Sequence, residues 1–296
     1  MTKSLTTLTA ILVVLVPLAI LAIGQQQRKA SAGPAKDSGP NKEAKILFKE
    51  DVVYGRVQGA GLLADIAHPE GKGPFPVILS VHGGRWFRET KSTHSAIKVR
   101  DWAGFGFFAM SIDYRLIGCS PAPACYQDVL CAIRWLHAHA GDYPIDPQRI
   151  FLIGQSAGGH MVSLAATLGD GPFKRTGGWE DQKHDFRGVI CVAAPSDLNK
   201  LDWGNGWTPL GEEPVAARLL ASPIQHVSAK MKPMLIIHSD DDRSVPIQQA
   251  LDMVQALEKA KVRHRFVQYK DKGHISMTTD VIRETRAFVE EIHGKK

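Results

Sequence analysis

The 296-residue sequence predicts an α/β fold, a mostly parallel eight-stranded sheet with helices on both faces. Three observations carry that expectation. Strand-like and helix-like segments alternate through the chain once the N-terminal region is passed. Several strand-like segments, among them Pro76 to Val81 and Ile150 to Ile153, are short unbroken apolar runs, as strands covered on both faces require. Composition is that of an ordinary globular chain, 44% hydrophobic and 22% charged, and roughly 250 residues remain for one large core. No internal repeat interrupts the pattern.

Residues 1–24 carry one lysine and an apolar run from Leu8 to Ile23, broken by Pro17. The run is shorter than the about 20 residues a membrane span needs, so a cleaved signal peptide is the first reading, with Ala22-Ile23-Gly24 at the cleavage position. Ala30-Ser31-Ala32 is a later cleavage alternative. Arg28 and Lys29 follow the run closely, and basic residues there hinder translocation, so an uncleaved anchor through residues 8–23 is the second reading. The product would be secreted or periplasmic in the first case and membrane-anchored in the second. Residues 25–44, polar and holding Pro, Gly and Ser, read as a flexible leader, and 45–296 as the folded domain.

The domain opens with strands at 47–54, 60–68 and 76–81. A helix at 91–103, a strand at 107–113 and a helix at 124–140 follow. The strand at 149–153 lies between Pro147 and Gly154, and the helix at 157–169 shows Met161, Leu164, Ala165 and Leu168 at helical spacing. Strands at 187–194, 233–238 and 262–269 then alternate with helices at 213–221, 246–260 and 278–293.

Chemistry enters at Gly154-Gln155-Ser156-Ala157-Gly158. A Gly-x-Ser-x-Gly string arises by composition in about one chain in ten of this length, so its position between a buried strand and a helix is what matters. There the glycines allow the sharp turn that exposes a serine hydroxyl above a helix N-terminus, which makes Ser156 the candidate nucleophile. A serine hydroxyl needs a base and an orienting acid. Asp240, Asp241 and Asp242 follow the strand at 233–238, and His274 follows the strand at 262–269. Serine, aspartate, histidine is the chain order of the α/β-hydrolase triad. Donors for an oxyanion are expected from His82-Gly83-Gly84-Arg85-Trp86 after the third strand. Gly83, Gly84 and Ala157 are the candidates, with the Arg85 N–H as a further one, and Arg85 and Trp86 are expected to face substrate.

These motifs resemble the esterase/lipase branch of the α/β hydrolases, which includes hormone-sensitive-lipase-like enzymes, kynurenine formamidases and bifunctional feruloyl and acetyl-xylan esterases. The likeness covers about residues 50–293 and extends to Ser111-Ile112-Asp113-Tyr114-Arg115, Pro121 to Asp128, Ala194 to Leu198 and Ala221 to Ser228. It implies the α/β-hydrolase fold with its first strands antiparallel. The segment from His238 to Pro246 resembles an esterase loop, His-Gly-Asp-x-Asp-x-x-Val-Pro, whose second aspartate is the catalytic acid. By that likeness Asp242 is the acid, Asp240 braces the loop and Asp241 is solvated; Ser239 departs from the family glycine. The resemblance further implies an esterase acting on short-chain or aromatic carboxylic esters, with acetyl or feruloyl groups on polysaccharide as expected substrates.

The alternatives are a serine exopeptidase-like hydrolase, for whose usual propeller the chain has no room, and a non-catalytic binder on a hydrolase scaffold. The chemistry calls for no cofactor and no metal. The acidic run at 240–242 lacks the spacing of a calcium loop, and His137 and His139 are two apart on a helix and face different ways. His160 is expected to be structural, beneath the elbow. A net charge of +6 spread along the chain, 36 basic against 30 acidic residues, implies no nucleic-acid partner. Trp179, Trp203 and Trp207 suit a small core or the face of a sugar, with the core reading ahead. Cys119 and Cys125 bracket a short loop that a disulfide would close, whereas Cys131 and Cys191 are expected as buried thiols.

Overall fold

All eight expected strands form, and they join in one sheet of order β1-β2-β4-β3-β5-β6-β7-β8 in the computed structural model, which describes residues 39–41 and 43–293. β1 (Ile46–Val57) and β2 (Ala60–Pro69) make an antiparallel hairpin, turned by Gln58 and Gly59, both with positive φ as a two-residue hairpin loop requires. β2 is also antiparallel to β4 (Phe108–Ile112). β3 (Phe75–Val81), β4, β5 (Ile145–Gln155), β6 (Gly188–Val192), β7 (Met234–Ser239) and β8 (His264–Tyr269) run parallel. The antiparallel start and the parallel remainder are the α/β-hydrolase arrangement.

Alternation along the parallel strands feeds two cores. Val77, Leu79, Ile150, Leu152, Met234 and Ile236 enter one core with residues of α2 (Ala124–Ala138), α3 (Ala157–Thr167) and α5 (Gln248–Lys259). Ile78, Phe151, Ile153, Leu235 and Ile237 enter the other, with residues of α1 (Val99–Gly104) and α6 (Thr279–His293). A short α4 (Pro214–Leu220) and three single 3-10 turns, Leu198–Lys200, Gly204–Gly206 and Pro223–His226, fill the stretch between β6 and β7.

One expected helix is cut short. The segment predicted at 91–103 is helical only from Val99, because side chains capture the backbone N–H groups before it. The Lys91 N–H donates to Asp113 Oδ1 at 2.7 Å and the Ile97 N–H to Ser80 Oγ at 3.1 Å. Such local capture competes directly with the helical ladder.

The cysteines correct another expectation. Cys119 is exposed and Cys125 is buried at the start of α2, and both are free thiols, as are the buried Cys131 and Cys191. The expected signal or anchor and most of the leader lie outside the described residues. The end of the leader joins the domain, since the Asn41 N–H donates to Gly104 O at 2.9 Å. Among the described residues no helix is long and apolar enough to cross a membrane.

Candidate active site

The loops leaving the C-terminal ends of β3, β5, β7 and β8 carry the candidate residues, the edge of an open α/β sheet where ligands bind. At β5 the chain turns sharply into α3. Ser156 sits in the turn at φ 53° and ψ −120°, a strained conformation for a non-glycine residue, and is only 4% exposed. Its N–H donates to Val192 O at 2.8 Å and its C=O accepts from the His160 N–H at 2.9 Å. The flanking glycines are demanded by packing. A β-carbon on Gly154 would overlap the Gly158 carbonyl, and one on Gly158 would overlap Val81 O. Ala157 opens α3, where the first N–H groups have no helical partner and the helix dipole favours negative charge.

The acid and base loops are joined. His274 Nδ1 lies 2.8 Å from Asp242 Oδ2, while Asp242 Oδ1 accepts the N–H groups of Ser244 and Val245 at 2.8 and 3.0 Å. Asp242 has no exposed side-chain surface. With Nδ1 engaged, Nε2 is the histidine nitrogen left to exchange a proton. Among the described residues no hydrogen bond joins Ser156 Oγ to His274, a link that often tightens only with substrate in place.

Asp240 Oδ1 accepts from the Asp271 N–H at 2.9 Å, a brace between the loops. Asp241, expected to be solvated, is exposed but engaged. Its Oδ1 accepts from Ser239 Oγ and from the Gly273 N–H, each at 2.7 Å, and these donors hold its carboxyl below the ordinary carboxylate range. Ser239 also accepts the Lys272 N–H at 2.9 Å, so the departure from glycine supplies a clasp between the two loops.

The oxyanion loop brings two corrections. The Gly83 N–H is taken, because it donates to Ser95 Oγ at 2.9 Å, and that hydroxyl donates in turn to Glu89 Oε2. Gly83 is therefore not a free donor, while among the described residues no hydrogen bond takes up the N–H groups of Gly84, Arg85 and Ala157. Trp86, expected to face substrate, is fully buried, with its ring 5.3 Å from His160, 5.0 Å from Trp203 and 5.6 Å from Trp207. Arg85 is exposed, with its guanidinium 5.4 Å from the centre of the Trp203 ring. Trp207 is wholly in the core and Trp203 is half-buried.

The family model for BD-FAE matches residues 64–257, which include the oxyanion loop, the elbow and the acid loop. The chain belongs to the BD-FAE family. Relatives of this BD-FAE chain include a probable carboxylic ester hydrolase, LipM, and an esterase, LipC, both of Mycobacterium tuberculosis. LipM is 28% identical over 281 residues, 89% of this chain, and LipC is 28% identical over 200 residues, 62% of this chain. The chain spans 64% of the length of LipM and 48% of that of LipC. Among solved structures, a truncated carbohydrate esterase from gut microbiota superposes with a TM-score of 0.76 at 24% identity, covering 87% of this chain and all of that one. A thermophilic esterase from Thermogutta terrifontis gives a TM-score of 0.71 at 24% identity, covering 88% of this chain and 94% of the other.

Several residues arrange this BD-FAE site through contacts that its motifs do not reveal. Gln155 Nε2 donates to Ile275 O at 3.1 Å and so ties the residue before Ser156 to the residue after His274. Tyr114 donates its O–H to Gly83 O at 2.7 Å and stacks on His82 at 4.1 Å. His238, buried, hydrogen-bonds Val245 O at 2.8 Å and lies 3.5 Å from Asp242 Oδ2; burial lowers its pKa. His160 is structural as expected. It is fully buried on the elbow helix α3, bonds Ala221 O at 2.7 Å, and burial pushes its pKa down to about 4. A cavity of about 570 Å³ lies at the far end of α3, beside Arg175, His184 and Lys232, and holds none of the candidate residues.

Proposed function

We propose that this chain is a serine esterase that hydrolyses carboxylic esters by acyl transfer. His274 takes the Ser156 proton, the serine oxygen attacks the ester carbonyl, and the N–H groups of Gly84, Arg85 and Ala157 receive the developing oxyanion. Asp242 holds the imidazole in the required tautomer and stabilises its cation. His274 then protonates the leaving alcohol, and water repeats the sequence on the acyl-enzyme.

The single observation that carries this reading is the 2.8 Å contact of His274 with Asp242, on a loop tied through Gln155 to the strained Ser156 turn. Membership of the BD-FAE family and likeness to enzymes named as carboxylic ester hydrolases support it. The likeness to a carbohydrate esterase is in keeping with an esterified carbohydrate as substrate, and short acyl or aromatic groups are the esters proposed. The apolar run at 8–23 supports export, with the segment either removed or kept as an anchor.

Hydrolysis of p-nitrophenyl acetate tests the reading. Ser156→Ala is expected to abolish turnover and labelling by a fluorophosphonate. Asp242→Asn is expected to lower kcat by about 10³ to 10⁴, and Asp240→Asn by less than about tenfold, as befits a brace with one hydrogen bond. Substantial turnover by Ser156→Ala sinks the assignment. Rapid cleavage of aminoacyl anilides instead of esters would favour the exopeptidase-like alternative.

A further inference from the structure

We infer that the site takes esters carrying a carboxylate, and that the Arg85 side chain is the group that reads this charge. The inference rests on the esterase reading and adds the chemical class of the substrate.

The backbone gives the first reason. Arg85 and Trp86 occupy the left-handed region in succession, at φ 54° and 65°. For residues other than glycine this region is strained. Trp86 has an evident return, since its fully buried ring fills the space between His160, Trp203 and Trp207. Arg85 fills no buried space, because it is exposed, and glycine would adopt its conformation without strain. The turn aims the Arg85 N–H at the oxyanion, which glycine would do without strain, so an arginine kept there points to work done by the side chain.

Placement gives the second. The Arg85 guanidinium lies over Trp203, whose indole N–H donates to Ser244 O at 2.8 Å. The Ser244 N–H in turn donates to Asp242 Oδ1. On the other side, Arg85 follows Gly84 directly, and a β-carbon built on Gly83 would stand 3.3 Å from Ser156 Cβ. The guanidinium is thus held between the oxyanion loop and the acid loop, at the rim of the proposed reaction centre. Stacking on an indole orients its planar fork and leaves the N–H edges for an acceptor.

Charge gives the third. Among the described residues no carboxylate lies within ion-pair distance of Arg85, nor of the exposed Arg88 and Arg243 on the same two loops. Arg115, Arg175 and Arg265, elsewhere in the fold, are each paired with a carboxylate. The acids on the same loops are held elsewhere. Glu89 accepts from Ser95 and Thr93, Asp240 from the Asp271 N–H, Asp241 from Ser239 and Gly273, and Asp242 faces His274. These carboxylates and the exposed Asp202 keep their charge, so the rim carries both signs, but none of them lies within ion-pair distance of Arg85. The Arg85 fork is therefore left without a carboxylate, the partner it pairs with best.

That carboxylate has two sources. It belongs either to the acyl group, as in a half-ester of a dicarboxylic acid, or to the alcohol, as in an acetylated uronic acid unit. Two pairs of substrates separate them, tested on the full chain: mono-p-nitrophenyl adipate against p-nitrophenyl hexanoate, and an O-acetylated methyl galacturonide against the matching acetylated methyl galactoside. In one pair the wild type is expected to prefer the anionic ester in kcat/KM. Arg85→Gln should lower that preference about tenfold, mainly through KM, and Arg85→Lys should restore much of it. Raising salt from about 0.05 to about 0.5 M should erode the wild-type preference. The pair that responds identifies the source. If the esters are hydrolysed and Arg85→Gln changes neither ratio, the inference is overturned while the esterase reading stands. If no ester is hydrolysed, both fall.

Discussion

Gly83 has both of its polar groups engaged, and that decides which neighbouring N–H faces the site. Its N–H is held by Ser95 and its C=O accepts the Tyr114 hydroxyl at 2.7 Å. A trans peptide is planar, with its C=O and the next N–H pointing in opposite directions. Tyr114 therefore fixes the direction of the Gly84 N–H by holding the other end of the same peptide. Burial raises the Tyr114 pKa well above its ordinary value, so the hydroxyl remains a donor at any working pH. Tyr114→Phe is expected to lower kcat about tenfold with little change in KM, since one hydrogen bond of about 1 kcal/mol no longer aims the donor. Steady-state kinetics on p-nitrophenyl acetate measures this, and a kcat within twofold of wild type would remove the role. The sequence made His82-Gly83-Gly84 legible as a donor loop. It did not reveal that one N–H was taken, because the partner, Ser95, lies in the segment read as helix.

At the scale of elements, the junction of β3, β5 and α3 is the tightest feature of the site. A methyl group on Gly158 would overlap Val81 O, a backbone atom in the middle of the sheet that cannot move aside. Gly158→Ala is expected to destabilise the fold by about 3 kcal/mol, at the upper end for overpacking. Urea unfolding followed by circular dichroism gives the value, and a change below about 0.5 kcal/mol would show that helix and sheet are looser than described. This junction was legible for a physical reason. A strand buried on both faces needs an unbroken apolar run, and Ile150 to Ile153 supplies it, with the glycines marking where helix and sheet must touch. The late start of α1 was not legible, because the side chains that capture its upstream backbone come from β3 and from the loop after β4.

Across the whole molecule, three buried histidines set the response to acid. Burial lowers the pKa values of His82, His160 and His238, that of His160 from 6.5 to about 4. In the window between those two values the unfolded chain binds a proton at this residue that the folded chain refuses, so stability falls as pH falls from 6.5 towards 4 and is unaffected above it. The shift at His160 alone corresponds to about 3 kcal/mol. Melting temperatures taken from pH 7.5 downwards are expected to drop through that window, and His160→Gln should flatten the drop. A wild-type melting temperature independent of pH there would contradict the buried neutral state. The role of His160 was legible from its place after Gly158 and Gly159, whereas the sequence put His238 and Asp242 four residues apart, at the end of β7 and on the loop after it, without revealing that the loop folds back to bring their side chains to 3.5 Å. Trp86, Trp203 and Trp207 are half of the six tryptophans, and their rings lie 5.0 and 5.6 Å apart around Trp86. At such separations excitation passes freely between indoles, so much of the emission reports on one spot behind the oxyanion loop. Only Trp203 in that group meets solvent, and a molecule settling over it, or displacing the Arg85 guanidinium, would be seen directly as a change in colour and brightness without any added dye.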